Sequence, residues 1–294
     1  MALPFKLASS QGVWFLGSLG AVVAGALHFV SVPLSIVLAH LFPAHAVRIA
    51  GFVRMLYLQT YASIAVSYIA TLVACSKSWW EQAKRSSSKW MFFASFLFLS
   101  DPMHYIMYCS IFIMATNELY RCSRLLLHPS CSAHFLFSLF CSFRVFAVYF
   151  PPFVYALLNV LPVLIANVPM PDGVRSKLSN LASQQDRVYQ YAVQFEAFVP
   201  VVMLFLFLRT HSPKLLTSVL VYVFVFLRSR YMVNYATHGL FSSLSNSIRQ
   251  TLANVPILLK VYSFVIGMVS RGMPDGVITP NMLVESIQRP QQTN

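Results

Sequence analysis

The chain has 294 residues, 57% hydrophobic and only 10% charged, with 21 Lys and Arg against 8 Asp and Glu. A soluble domain carries about a quarter charged residues, so a water-facing globular enzyme is excluded, as are disordered and collagen-like chains. What remains is an all-α, polytopic helical integral membrane protein. Its net charge of +13 suits anionic lipid headgroups rather than nucleic acid, each nearby Lys or Arg adding roughly 1 kcal/mol of attraction.

Charge-free runs place the membrane segments. The first covers residues 14–42, long enough to span with tilt, with Pro33 as a kink position. Lys6 and the small residues Ala24-Gly25-Ala26 imitate a secretory signal, but the uncharged stretch up to Arg48 exceeds any signal core, so a retained signal anchor is expected. The second run is 55–76. A wet basic loop follows, carrying Lys77, Lys84, Arg85 and Lys89 against the single acid Glu81, with Trp79, Trp80 and Trp90 at headgroup level. Residues 90–100 are too short to cross about 30 Å of hydrocarbon. Asp101 interrupts, and 102–117 continue. The stretch 125–171 is broken by Arg144 and Pro151-Pro152, 188–208 holds only Glu196, and 215–227 is again short. Such segments fit re-entrant or shallow helices as well as clean spans.

Six passes with a cytosolic N-terminus put fourteen Lys and Arg on the cytosolic side against six opposite, with Arg144 unassigned. Both termini are then cytosolic. From Arg228 the pattern changes. Leu240, Phe241, Leu244, Ile248, Leu252 and Val255 recur at helical spacing with polar residues opposite, and a more apolar helix follows Pro256. These read as amphipathic interfacial helices. The organisation expected is a membrane domain over 1–227, basic tail helices over 228–272 and a disordered end over 273–294. In the tail Leu240, Phe241, Leu244 and Ile248 would insert, while Arg228, Arg230, Arg249, Lys260 and Arg271 would meet headgroups.

Asp101, His104, Tyr105, Tyr108 and Phe112 share a helix face. They make a polar intramembrane site or, with Asp101 as N-cap before Pro102, an ordinary packed helix start. Glu196 in an apolar run calls for an ion-pair partner, with Arg187, Arg209 or Arg144 as candidates, or else acts as a transport-coupling carboxylate. Cys122, His128, Cys131 and His134 have zinc-ligand chemistry at spacings that match no usual site. Five cysteines, among them Cys75, Cys109 and Cys141 in or beside apolar runs, read as reduced thiols rather than a disulfide framework. No phosphate loop, nucleophile elbow or zinc-protease motif is present. No enzyme, metal or cofactor is expected.

The stretch Ser100-Asp101-Pro102-Met103-His104-Tyr105-Ile106-Met107-Tyr108 with Ile111-Phe112 resembles a segment of the transmembrane protein 33 family, which also takes in Krüppel homologue 2 and the yeast pore-membrane and ER protein. The resemblance continues at Gln184-Gln185, Glu196-Ala197-Phe198, Tyr222, Phe224, Leu227-Arg228, Asn234 and Leu240-Phe241, and covers roughly residues 90–270. Met232 and Val233 depart from it, where members typically carry a basic pair. The resemblance implies a non-enzymatic protein of the endoplasmic reticulum membrane and nuclear envelope. Its implied partners are reticulon-type ER-shaping proteins and nucleoporins, and its implied role the shaping of tubular ER and the distribution or assembly of nuclear pore complexes. Short hairpins and interfacial helices agree physically, because they add area to one leaflet. The alternative is a small transporter or lipid-handling protein using Asp101, His104 and Glu196.

Overall fold

The computed structural model describes residues 9–84, 89–126 and 133–269. Among them every regular element is helical. Five stretches of the described residues are long and apolar enough to cross a membrane: Ser10–Ser35, Val47–Ala83, Val148–Asn167, Gln185–Thr210 and Pro213–Val233. The protein is an all-α polytopic membrane protein.

Helix α1 (Ser10–Leu41) starts where the Ser9 hydroxyl accepts from the Gly12 N–H at 3.2 Å, the ordinary N-cap arrangement. A 3-10 turn at Pro43–His45 reverses the chain into α2 (Ala46–Ala83), and the two helices pack as an antiparallel hairpin. Little hydrophobic force drives helices together in lipid, so close backbone approach and interhelical hydrogen bonds matter. Gly17 supplies the first, since a Cβ there would lie 2.9 Å from the Ser63 carbonyl oxygen. Ser67 supplies the second: it donates to the Trp14 carbonyl at 3.0 Å and so takes its 2.7 Å bond to Ser18 as acceptor.

With 38 residues, α2 is about 57 Å long, nearly twice the hydrocarbon thickness. The loop expected from Lys77 is therefore helix as far as Ala83. Residues 77–83 hold good helix formers and neither Gly nor Pro, and Lys84 pairs with Glu81 at 2.8 Å. Helix α3 (Lys89–Leu99) is too short to cross and folds back along the end of α2, Trp80 meeting Trp90 and Phe93 while Trp79 meets Phe96. The chain breaks at Ser100, and α4 (Asp101–Leu126) turns into the bundle, burying Tyr105, Tyr108, Ile111, Phe112 and Ala115.

Helix α5 (Ala133–Asn167) runs straight through Pro151, Pro152 and Pro162, so the expected break is absent. Proline has no N–H to give the carbonyl four residues back, and inside a membrane that carbonyl must be satisfied by neighbours. Pro152 frees the Val148 carbonyl, which accepts from the Tyr61 hydroxyl at 3.1 Å and the Tyr108 hydroxyl at 2.6 Å. The same device recurs one helix later. Pro200 of α7 (Gln185–Thr210) frees the Glu196 carbonyl, and the Tyr222 hydroxyl donates to it at 3.0 Å. Two proline gaps are thus closed by tyrosines from other helices, which joins α2, α4, α5, α7 and the following segment around one aromatic core.

Between α5 and α7 lies α6 (Asp172–Ser183), with no buried residue. After α7, helix α8 (Pro213–Val221), a π-helical stretch (Tyr222–Leu227) and α9 (Arg228–Val233) form one continuous rod. The short segment expected at 215–227 is therefore part of a full-length span, and the domain boundary expected after residue 227 falls inside it. The Asn234 side chain then caps α10 (Tyr235–Leu252) by accepting from the Thr237 N–H at 3.0 Å. Helix α11 (Pro256–Val269) follows and is tied to α10 by the Tyr262 hydroxyl on Ser245 at 3.0 Å. The end expected to be disordered, and Arg271, lie outside the described residues.

Candidate functional site

Ring contacts align the helices at one end of the bundle. Tyr68 of α2 stacks on Tyr105 of α4 at 4.7 Å between centroids, and Tyr155 of α5 meets Tyr105 at 4.9 Å and Tyr189 of α7 at 5.5 Å. Arg230 of α9 enters among these rings and is completely buried. Within the π-helical stretch and its continuation, Tyr222, Phe226 and Arg230 recur every fourth residue, so the arginine follows the two buried aromatics to the inner face.

The guanidinium binds groups on two other helices, α4 and α7. Nη1 donates to Asp101 Oδ1 at 2.6 Å, and Nη2 donates to the Tyr105 hydroxyl at 2.8 Å and the Tyr189 hydroxyl at 3.4 Å. Glu196 Oε2 lies 3.6 Å from Nη2, an ion pair beyond hydrogen-bonding distance. The guanidinium carbon is 5.0 Å from the Tyr105 ring centroid, within cation–π range. Tyr189 also accepts from Asn234 Nδ2 at 2.6 Å, while Asn234 Oδ1 caps α10. A line of hydrogen bonds thus runs from Asp101 through Arg230 and Tyr189 to the first turn of α10.

The two carboxylates differ sharply in surroundings. The Asp101 side chain is 59% exposed, that of Glu196 1%, and neither Glu196 carboxyl oxygen has a hydrogen-bond partner. Arg230 is the only basic side chain paired with either among the described residues.

Several expectations need correction. Arg230, expected at the headgroups, is the buried centre of the cluster. Glu196 faces Arg230 rather than Arg187 or Arg209, and the Arg144 side chain lies outside those described. The Asp101 carboxylate serves Arg230 rather than its own helix start. Asp101, Tyr105 and Glu196 come together, whereas Tyr108 is committed to Val148 and His104 is buried on α4. In the tail, Leu240, Phe241 and Ile248 are half-buried, with Phe241 against the bundle core, and only Leu244 of the four is exposed. Arg249 and Lys260 are exposed and Arg228 half-buried. The apolar surface of the tail belongs mainly to α11, where Ile257 is 74% and Phe264 67% exposed. No group of three or more potential metal ligands occurs among the described residues. The side chains of Cys122, His128, Cys131 and His134 lie outside them.

The signal for Arg230 was available in the sequence. Two acids, Asp101 and Glu196, fall in or at the edge of apolar segments, and a basic partner is needed inside the membrane. Arg230 sits four and eight residues beyond Phe226 and Tyr222, in phase with aromatic residues that no lipid-facing pattern requires.

Fold and cluster together define a polytopic α-helical membrane protein whose last span is pinned to its neighbours by one buried arginine. The chain matches no family model, no curated protein and no solved structure.

Proposed function

We propose that this is a non-enzymatic protein of the endoplasmic reticulum and nuclear envelope that shapes or organises membrane through lipid contact and membrane-shaping partners. The observation that carries the reading is the α10–α11 pair. After the Asn234 cap, α10 packs Phe241 against the bundle core, and α11 presents Ile257, Leu258 and Phe264 outward beside the exposed Lys260. An apolar face next to basic residues favours seating in the headgroup region of an anionic leaflet, which expands that leaflet relative to the other. Lys77 and Lys84 follow Tyr68 on α2 and Arg175, Lys177 and Arg187 precede Tyr189, so the ring contacts from Tyr68 through Tyr105 and Tyr155 to Tyr189 put these cations towards one end of the bundle, which supports a cytosolic assignment for it. The family resemblance supports the compartment, the reticulon-type and nucleoporin partners and the pore-complex role.

Reconstitution into anionic liposomes tests this. The full-length protein is expected to form tubules, and a variant with Ile257→Glu, Leu258→Glu and Phe264→Glu to lose them. Equal tubulation by both moves the activity to the short α3 hairpin. No tubulation by either overturns direct shaping and leaves a scaffold. The buried polar cluster favours one rival, a small transporter or lipid-handling protein working through Asp101, His104 and Glu196. It expects alanine at those positions to abolish flux while ER form stays normal.

A further inference from the structure

The Arg230 cluster holds one positive charge and two carboxyl groups. Arg230 Nη1 is committed to Asp101 at 2.6 Å and Nη2 to Tyr105 at 2.8 Å. Glu196 is left 3.6 Å away with neither carboxyl oxygen hydrogen-bonded. Were both carboxyl groups ionised, the surplus negative charge would rest on Glu196, the member that water does not reach. A buried ionised group without its own counter-charge is strongly disfavoured and neutralises instead. Asp101, more than half exposed, is the carboxyl group that water reaches.

We propose that Glu196 is a proton-binding site: a neutral carboxylic acid held inside the bundle, whose proton stands in for the second positive charge that the cluster lacks. The groups facing it are Asp101, Tyr105 and Tyr108 from α4, Tyr155 from α5, Tyr222 from the π-helical stretch and Arg230 from α9. Of these only Asp101 is an acid and only Arg230 a base. Asp101 and Glu196 therefore compete for one guanidinium. Removing the charge of Asp101 hands Arg230 to Glu196, which then releases its proton. The ligand of the site is a single proton, and the site is independent of whether the tail helices shape membrane.

Infrared spectroscopy of the full-length protein in phosphatidylcholine vesicles at neutral pH reads this proton directly. The wild type is expected to show a protonated-carboxyl C=O band that shifts in deuterium oxide. Glu196→Gln is expected to remove the band and leave thermal stability unchanged, because glutamine copies the neutral acid. Asp101→Asn is expected to remove it as well, although Glu196 is intact. Should Glu196→Gln fail to fold, Glu196→Asp assigns the band by shifting it. The proposal is overturned if the wild type shows no such band, if the band survives Glu196→Gln, or if Asp101→Asn leaves it in place.

Discussion

At the scale of the residue, the organising fact is that Arg230 has no access to water and depends on its neighbours for every compensating interaction. Neutralising one carboxyl group leaves the other to answer it, whereas Asp101→Asn combined with Glu196→Gln strands a buried cation. The double variant is expected to lose about 3–5 kcal/mol, far more than the sum of the single changes, and thermal melts of the four proteins in detergent measure that difference. The tyrosines set a second comparison. Val148 has two hydroxyl donors, so Tyr61→Phe leaves it satisfied. Among the described residues the Glu196 carbonyl has only Tyr222, so Tyr222→Phe leaves a buried acceptor unmade at about 1–3 kcal/mol. Tyr222→Phe is expected to melt clearly lower than Tyr61→Phe, and equal melting temperatures would refute the proline-gap account.

Elements show what the sequence disclosed and what it withheld. Hydropathy located the apolar segments, because charge-free runs and spans obey the same solvation physics. It misjudged their ends wherever tertiary contacts supply what the local pattern lacks. Helix α5 crosses Pro151-Pro152 because tyrosines from α2 and α4 replace the missing partner, information that lies about forty and ninety residues away. The last span continues past Leu227 because Asp101 and Glu196 admit Arg230 to the interior. The charge-free run alone ended the span too early, although the two acids and the phase of Tyr222 and Phe226 pointed to Arg230. The hairpin of α1 and α2 depends on a closer register of atoms. Gly17→Ala meets the Ser63 backbone and is expected to cost about 1–3 kcal/mol, while Gly51→Ala enters open space and is expected to leave the melt unchanged or raised. Similar losses from both would mean that helix contact at Gly17 is not tight.

For the whole molecule, the cluster and the tail belong to one mechanical path. Asp101, Arg230, Tyr189 and Asn234 connect α4 to the first turn of α10, so the orientation of α10 and α11 relative to the bundle is set by buried polar contacts. Asn234→Ala removes both the cap and the bond to Tyr189. It is expected to raise hydrogen exchange in α10 while leaving α4 and α7 protected, and unchanged exchange in α10 would show that the tail is held by other means. The sequence alone revealed the amphipathic pattern of this tail but not its attachment, because the linking residues come from three separate helices.

A π-helical turn is an α-helix carrying a surplus residue, often found where a site has been built. Tyr222–Leu227 is such a stretch, and Arg230 lies just beyond it. Removing the exposed Val225 would let the stretch wind as an α-helix; about seven steps of about 100° would then separate Tyr222 from Arg230 and keep both on the inner face. Loss of that one residue is then expected to leave the cluster assembled. The π-helical stretch is in that sense slack in the last span, a residue that can be taken up without moving the arginine.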